Sequence, residues 1–248
     1  MITLTDRKKI VKVDRVNSVY EASQLDELCV DIISISISDS IQFSDRRKVL
    51  EKEAIEIQKN LKNAKLCGQI SVRDCNTQSC LNFIQNCGLT YVQLPFPEIP
   101  PIDFRRTLQE LGVGLIYAGI EASYDDDPSW ILSRFQDVEA LNTEYFQIEI
   151  LPVVQNSWSF FKNECPKYPE ELQIEDINQI ATINPVIISV DFNSDNILEI
   201  VKKLNNVRGI GLTLGTLASK QYLPHTLEFP QAIELLKTLR SSVGEVIV

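Results

Sequence analysis

From Lys9 onward the chain alternates two kinds of segment, a short β-branched apolar run and then an amphipathic stretch of helical length. This alternation restricts the fold more than any single motif does. Strands joined through helices pair in parallel, with the helices laid over the sheet. The strand-like runs are Ile10–Asp14, Asp31–Ile37, Lys65–Ser71, Tyr91–Leu94, Val113–Ile120, Tyr145–Leu151, Pro185–Val190 and Gly209–Gly215. Between them the spacing predicts helices from Asn17 or Ser18 to Leu28, from Ser44 or Asp45 to Lys62, and over 74–86, 103–111, 129–141, 175–182, 197–204 and 230–239. Val49, Leu50, Ile55, Ile57 and Leu61 are available for the buried side of the second of these.

Eight such strands in 248 residues, 44% of them hydrophobic, predict an α/β protein, a single (β/α)8 barrel domain over 1–248 rather than an open sheet. A dinucleotide-binding sheet is disfavoured because no Gly-x-Gly-x-x-Gly follows the first strand. Gly209 and Gly211 fall within a late strand, and no Walker phosphate loop is present. The least regular part is 152–172, which holds Trp158, Phe160 and Phe161 and reads as a loop insertion at the carboxyl side of the sixth strand. The three aromatics fit a lid over an aromatic ligand, a subunit contact or plain core, and the sequence does not separate these readings.

The net charge of −10 repels nucleic acid and anionic membrane surfaces. The densest basic spot, Arg46-Arg47-Lys48, is followed closely by Glu51 and Glu53. No apolar run approaches the roughly 18 residues of a membrane span, and the N-terminus lacks the apolar core of a secretory signal. A cytoplasmic monomer or homodimer acting on a small molecule is expected, with neither nucleic acid nor membrane as partner. Six cysteines without a Cys-x-x-Cys pair, beside the one histidine, His225, give almost no ligands for zinc. No metal or cofactor is expected, and the thiols are read as small buried hydrophobes, with Cys80 and Cys87 sharing a helix face with Ile84. Asp125-Asp126-Asp127 offers carboxylates to a magnesium ion, but before Pro128 it reads better as a helix entrance capped by Asp127.

The unit from Asn184 to Gly215 is a strand, a helix-start cluster Asn193-Ser194-Asp195-Asn196, a helix and another buried strand. In a parallel barrel the carboxyl ends of such strands and the following helix N-termini share one rim, where N–H groups and the helix dipole favour an anion. His225 follows the last strand and falls on the same rim, where it reads better as a surface histidine than as a site residue.

Several of these stretches resemble the phosphoribosylanthranilate isomerases of tryptophan synthesis. Val11-Lys12-Val13-Asp14-Arg15-Val16 is similar to that family's Val-Lys-Ile-Cys-Gly-Ile, and Tyr91-Val92-Gln93-Leu94-Pro95 to its Val-Gln-Leu-His. Ile188 to Ile197 resembles Leu-Ser-Gly-Gly-Leu-Asn-Pro-Glu-Asn-Val, and Thr213-Leu214-Gly215 falls where the family has Ser-Ser-Gly. The resemblance implies a barrel of isomerase type whose substrate is small and anionic or carboxylate-bearing. It places Asp14 at the family's catalytic cysteine and Glu149 nearest to its catalytic aspartate. It puts Arg47 on the arginine that grips a substrate carboxylate, and Gln93, Asp191, Asn193 and Gly215 among the substrate-binding positions.

The departures are chemical. Asp14 replaces the cysteine and Val190-Asp191 replaces the Gly-Gly that lets backbone approach a phosphate. Two carboxylates across a mouth can still serve as base and acid if their surroundings separate their pKa values. The first expectation is therefore a divergent isomerase with Asp14 as base and Glu149 as acid, in which Asp14→Asn abolishes turnover and leaves folding intact. Against it, Asp14 also fits a salt bridge to Lys12 or Arg15 or a helix cap, and Asp191 fits a cap on the N–H groups of the helix that follows it. The second expectation is a barrel without catalysis that binds a ligand or a protein.

Overall fold

β-Branched residues at alternate positions of a buried strand pack outward against helices, and their neighbours point to the sheet's other face. In a computed structural model, which describes residues 9–37, 47–71, 76–95, 98, 100–131, 143–151, 157–216 and 225–244, the other face is the inside of a barrel. The strands are β1 (Ile10–Asp14), β2 (Ile32–Ser36), β3 (Lys65–Gln69), β4 (Tyr91–Pro95), β5 (Gly114–Ala122), β6 (Tyr145–Ile150), β7 (Val186–Ser189) and β8 (Gly209–Thr213). They are hydrogen-bonded in sequence order, and β8 closes parallel onto β1 with Lys12 opposite Gly211 and Asp14 opposite Thr213. The predicted (β/α)8 barrel is the observed fold.

Helices α1 (Val19–Glu27), α2 (Glu51–Asn60), α3 (Thr77–Asn86) and α4 (Ile102–Glu110) follow the first four strands. Ser18 caps α1 by accepting the Glu21 N–H, and Asn76 caps α3 by accepting those of Gln78 and Ser79. Asp127 caps the turn that opens after β5, where its side chain accepts the Ser129 N–H at 2.8 Å. The second helix starts later than the sequence spacing predicts. Lys48 makes a parallel bridge to Ser36, the Val49 N–H donates to the Ser36 carbonyl, and Leu50 is extended and exposed. Pairing with the end of β2 thus overrides helical spacing through Leu50; positions 44 and 45 lie outside the described residues.

The segment read as an irregular insertion contains the helix Ser157–Asn163 and a 3-10 turn, Cys165–Lys167. Trp158 and Phe161 are buried in the main core, and the Phe160 ring lies 4.3 Å from that of Tyr124. These aromatics are core residues because the helix exists to present them. Helices Ile174–Ile183, Ile197–Lys203 and Phe229–Gly244 complete the described set.

The barrel interior is divided along its axis. At the amino-terminal end Ile32, Cys67, Tyr91 and Ile116 form a closed apolar plug, edged by Ile10 and Tyr145. Toward the carboxyl ends the inward positions become polar, which leaves that mouth as the place for chemistry. Of the cysteines, Cys67, Cys87 and Cys165 are buried thiols, Cys29 is an exposed one, and Cys80 is disulfide-bonded. Cys29, by its exposure, and Cys80, by its disulfide, therefore depart from the expected row of buried thiols, and Cys75 lies outside the described residues. No helix among the described residues is long and apolar enough to cross a membrane.

Candidate functional site

Lys12 and Asp14 lie on the inward face of β1, and their side chains are 0% and 2% exposed. The Lys12 ammonium ion-pairs with Asp14 Oδ1 and donates to Gln147 Oε1 at 2.8 Å. Gln147 Nε2 in turn donates to Asp14 Oδ2 at 3.1 Å and to Ser189 Oγ at 3.2 Å, while Gln69 Nε2 reaches Asp14 Oδ1 at 3.1 Å. Asp14 thus accepts from three side chains, one of them cationic. The lone pairs of this carboxylate are thus taken up by side chains of the barrel itself.

The space for this network comes from β8. A Cβ on Gly211 would lie 2.6 Å from Ser189 Oγ and 3.5 Å from the Gln147 amide. Glycine here makes room for the polar interior, which accounts for a residue the sequence leaves unexplained.

One layer higher is a second cluster. A register shift between Ala118 and Ile120 carries β5 onward so that Glu121 sits opposite Glu149 of β6, and Glu149 sits opposite Ser189 of β7. His225 Nε2 lies in close contact with Glu149 Oε1, and its imidazole, expected at the surface, is 5% exposed because it turns inward onto that carboxylate. Burial first, and then the Glu149 charge, push the Glu121 carboxyl above its ordinary value, with His225 acting in the opposite sense. Asp191, just beyond β7, is also raised, chiefly by burial, and the hydrogen bond it accepts from the Ser157 N–H offsets part of that.

Asp191 departs from its expected place. Its Oδ2 accepts the Ser157 N–H at 3.0 Å, so it caps the helix Ser157–Asn163 rather than the helix that follows it. At the entrance to the latter, donors are engaged locally. Asn193 Oδ1 accepts from the backbones of Asp195 and Asn196 at 2.9 and 3.0 Å, and Asn196 Oδ1 accepts the Asn193 N–H at 2.8 Å. Gly215 is similarly engaged, since its N–H donates to the Leu227 carbonyl at 2.9 Å. The N–H groups of Asn193, Asp195, Asn196 and Gly215, which the resemblance would turn toward a phosphate, are all satisfied within the chain.

Arg47 lies on the outer side of this rim. Its Nε donates to the Arg15 carbonyl at 2.7 Å and its Nη2 ion-pairs with Glu21, with both side chains largely buried. The carboxylate it grips in this structure is one of its own. Gln93 is buried midway along β4 with Oε1 unbonded, and Asp191 Oδ1, Thr226 Oγ1 and His225 Nδ1 are also buried without hydrogen-bond partners. Asp14 and Glu149 are therefore in neighbouring layers of one mouth, with Gln93 and Asp191 around it, whereas Arg47, Asn193 and Gly215 are committed to holding the fold. Sequence reasoning missed Gln69, Glu121, Gln147, Ser189 and Thr226. Gln69, Gln147 and Ser189 share the inward parity of their strands, and that was the available signal. Among the described residues no group of three or more His, Cys, Asp or Glu is placed to hold a metal.

A closed parallel eight-stranded barrel with its polar groups gathered at the strands' carboxyl ends defines the (β/α)8 class. Within that class the fold is that of the phosphoribosylanthranilate isomerases. The enzyme from Pyrococcus furiosus superposes with a TM-score of 0.66 over 94% of this chain and 100% of its own, at 14% identity. The one from Thermus thermophilus gives 0.62 over 94% and 98%, also at 14% identity. A type I 3-dehydroquinate dehydratase from Clostridium difficile gives 0.59 over 97% and 96%, again at 14% identity, so the likeness extends to a barrel with different chemistry. The sequence matches no protein-family model and no curated protein.

Proposed function

We propose that the chain is a divergent isomerase of aldose–ketose type, related in fold to phosphoribosylanthranilate isomerase, with its proton transfers run by Glu149 and His225 rather than by Asp14. The observation that carries this reading is the close contact between half-buried Glu149 and buried His225 beside Glu121. Moving a carbonyl between adjacent carbons needs a base for the C2 proton and an acid for the carbonyl oxygen. Glu149 takes the C2 proton, the C–H electron pair becomes the C1–C2 double bond of an enediol, and protonated His225 delivers a proton to the C1 oxygen. The return step delivers the proton on Glu149 to C1 as His225 takes the O2 proton. Imidazole suits that exchange near neutral pH. Asp14, neutralised by Lys12, then fixes the floor of the site.

The engaged N–H groups after β7 and β8 argue against the phosphorylated substrate of tryptophan synthesis. They also favour a second reading, a barrel without catalysis that binds a ligand. Proton NMR in D2O on a panel of aldoses, ketoses and aminosugars separates the two. The isomerase reading expects deuterium to enter at C2 or C1, and Glu149→Gln to slow this by roughly 10²- to 10⁴-fold. Absence of exchange across the panel, or exchange undiminished in the variant, removes it. Growth of a tryptophan auxotroph lacking the isomerase would instead place the chain in that pathway.

A further inference from the structure

Among the described residues the charges at the mouth do not balance. Glu121, Glu149 and Asp191 face one imidazole, His225. The nearby cations are spent elsewhere, Lys12 on Asp14 and Arg47 on Glu21, and Arg15 has a partner of its own. Acidic residues around a mouth do not by themselves make a site, but a second observation points the same way. Gln93, His225 and Thr226 are 7%, 9% and 2% exposed, and each keeps a polar atom without a hydrogen-bond partner, as does Asp191 at Oδ1. His225 also turns its Nε2 into the acidic cluster, onto Glu149.

A buried polar atom left unbonded has lost its water and gained nothing in return, so such atoms are normally kept for a ligand or a water. Two of these, Asp191 Oδ1 and Gln93 Oε1, can only accept. The complementary ligand therefore brings donors and a positive charge. A phosphate brings neither, and the Asn193, Asp195, Asn196 and Gly215 N–H groups are not turned to receive it. A protonated amine brings both, with N–H bonds in three directions.

We propose that the ligand of this mouth is a polyhydroxylated amine in its protonated form, with the ammonium group held between Asp191 Oδ1 and Glu149 and its hydroxyls reaching Gln93 and Thr226. This rests on the mouth being the functional site and names the class of molecule it takes.

His225 is the one histidine in the chain, so its Cε1–H NMR signal is an unambiguous reporter at the cluster. The test titrates the protein, at fixed neutral pH and ionic strength, with three matched probes: serinol (2-amino-1,3-propanediol), glycerol and glycerol 1-phosphate. The expected result is a saturable shift with serinol at a concentration at least about tenfold below that needed with glycerol, and no shift with the phosphate. Asp191→Asn keeps an oxygen for the Ser157 N–H and should erase the preference for serinol. Glu149→Gln should weaken it, and carries the test if the first variant does not fold. Equal response to serinol and glycerol, no response to any probe, a preference for the phosphate, or a response to magnesium chloride in place of serinol each overturn the proposal. Because binding is read without turnover, a serinol response without deuterium exchange removes the isomerase reading and leaves this one standing.

Discussion

Lys12 and Asp14, two positions apart on one strand, form an ion pair sealed inside the barrel at 0% and 2% exposure. Removing one partner strands the other charge where water cannot reach it. Asp14→Asn is therefore expected to destabilise the fold by about 3–5 kcal/mol, the usual cost of breaking a buried pair from one side. Replacing both residues with apolar side chains should cost less than the sum of the single changes, because no charge is then left alone. Urea denaturation of Asp14→Asn, of a single apolar replacement of Lys12 and of the double variant measures this. An Asp14→Asn protein as stable as the parent would free Asp14 for the catalytic part that the family resemblance assigns to it.

Asp191 sets a pH dependence whose sign follows from its burial. The folded chain holds this carboxyl above its ordinary value of 3.8 and so binds the proton more tightly than the unfolded chain does. Stability from this group is then fully present below about pH 3.8 and is lost as pH rises through the higher folded value. Glu121, raised from 4.5 mainly by burial, acts in the same direction. Asp191→Asn should flatten the fall in stability with rising pH that begins near this value, while Asp191→Ala should sit about 1 kcal/mol lower because it also removes the cap on Ser157. Urea midpoints between about pH 4 and pH 7 decide the matter, and an unchanged slope in Asp191→Asn would contradict it.

The barrel was legible in the sequence because its cause is local: β-branched runs and amphipathic stretches alternate, and each element carries its own period. Capping by Ser18 and Asp127 was legible for the same reason. The helix Ser157–Asn163 was not, because what holds it is distant in sequence. Asp191 caps it, Glu199 accepts from Trp158 and Lys162, and Tyr124 packs on Phe160. Lys12 could be weighed as a partner for Asp14, since the two share a strand face. That Gln69 and Gln147 complete the arrangement, or that His225 reaches Glu149, depends on strands brought together only by closure of the barrel.

Arg15 follows Asp14 at the position where the resembled motif has glycine, and its φ is +65°. A non-glycine residue in that region carries about 1–2 kcal/mol of backbone strain. Arg15→Gly and Arg15→Ala both lose the guanidinium, so their difference isolates the backbone. The glycine variant should be the more stable by about 1 kcal/mol, measured by chemical denaturation. Equal stability would mean that the strand end relaxes once the side chain is gone.

Gly211 and Ser189 face each other inside the barrel, and the absence of a side chain on one is what admits the hydroxyl of the other. A Cβ at Gly211 would lie 2.6 Å from Ser189 Oγ, well inside contact distance. Gly211→Ala should therefore cost about 1–3 kcal/mol by overpacking, and the disturbance should travel through Gln147 to Asp14, which Gln147 holds at 3.1 Å. Ser189→Gly alone should cost about 1 kcal/mol, for the hydrogen bond that Gln147 Nε2 donates to it. In the double variant the added methyl occupies the space vacated by the hydroxyl, so part of the Gly211→Ala loss should return, as a coupling of about 0.5–3 kcal/mol in a double-mutant cycle. Strictly additive costs would show that the alanine clashes with something other than Ser189, and the glycine would then need a different explanation.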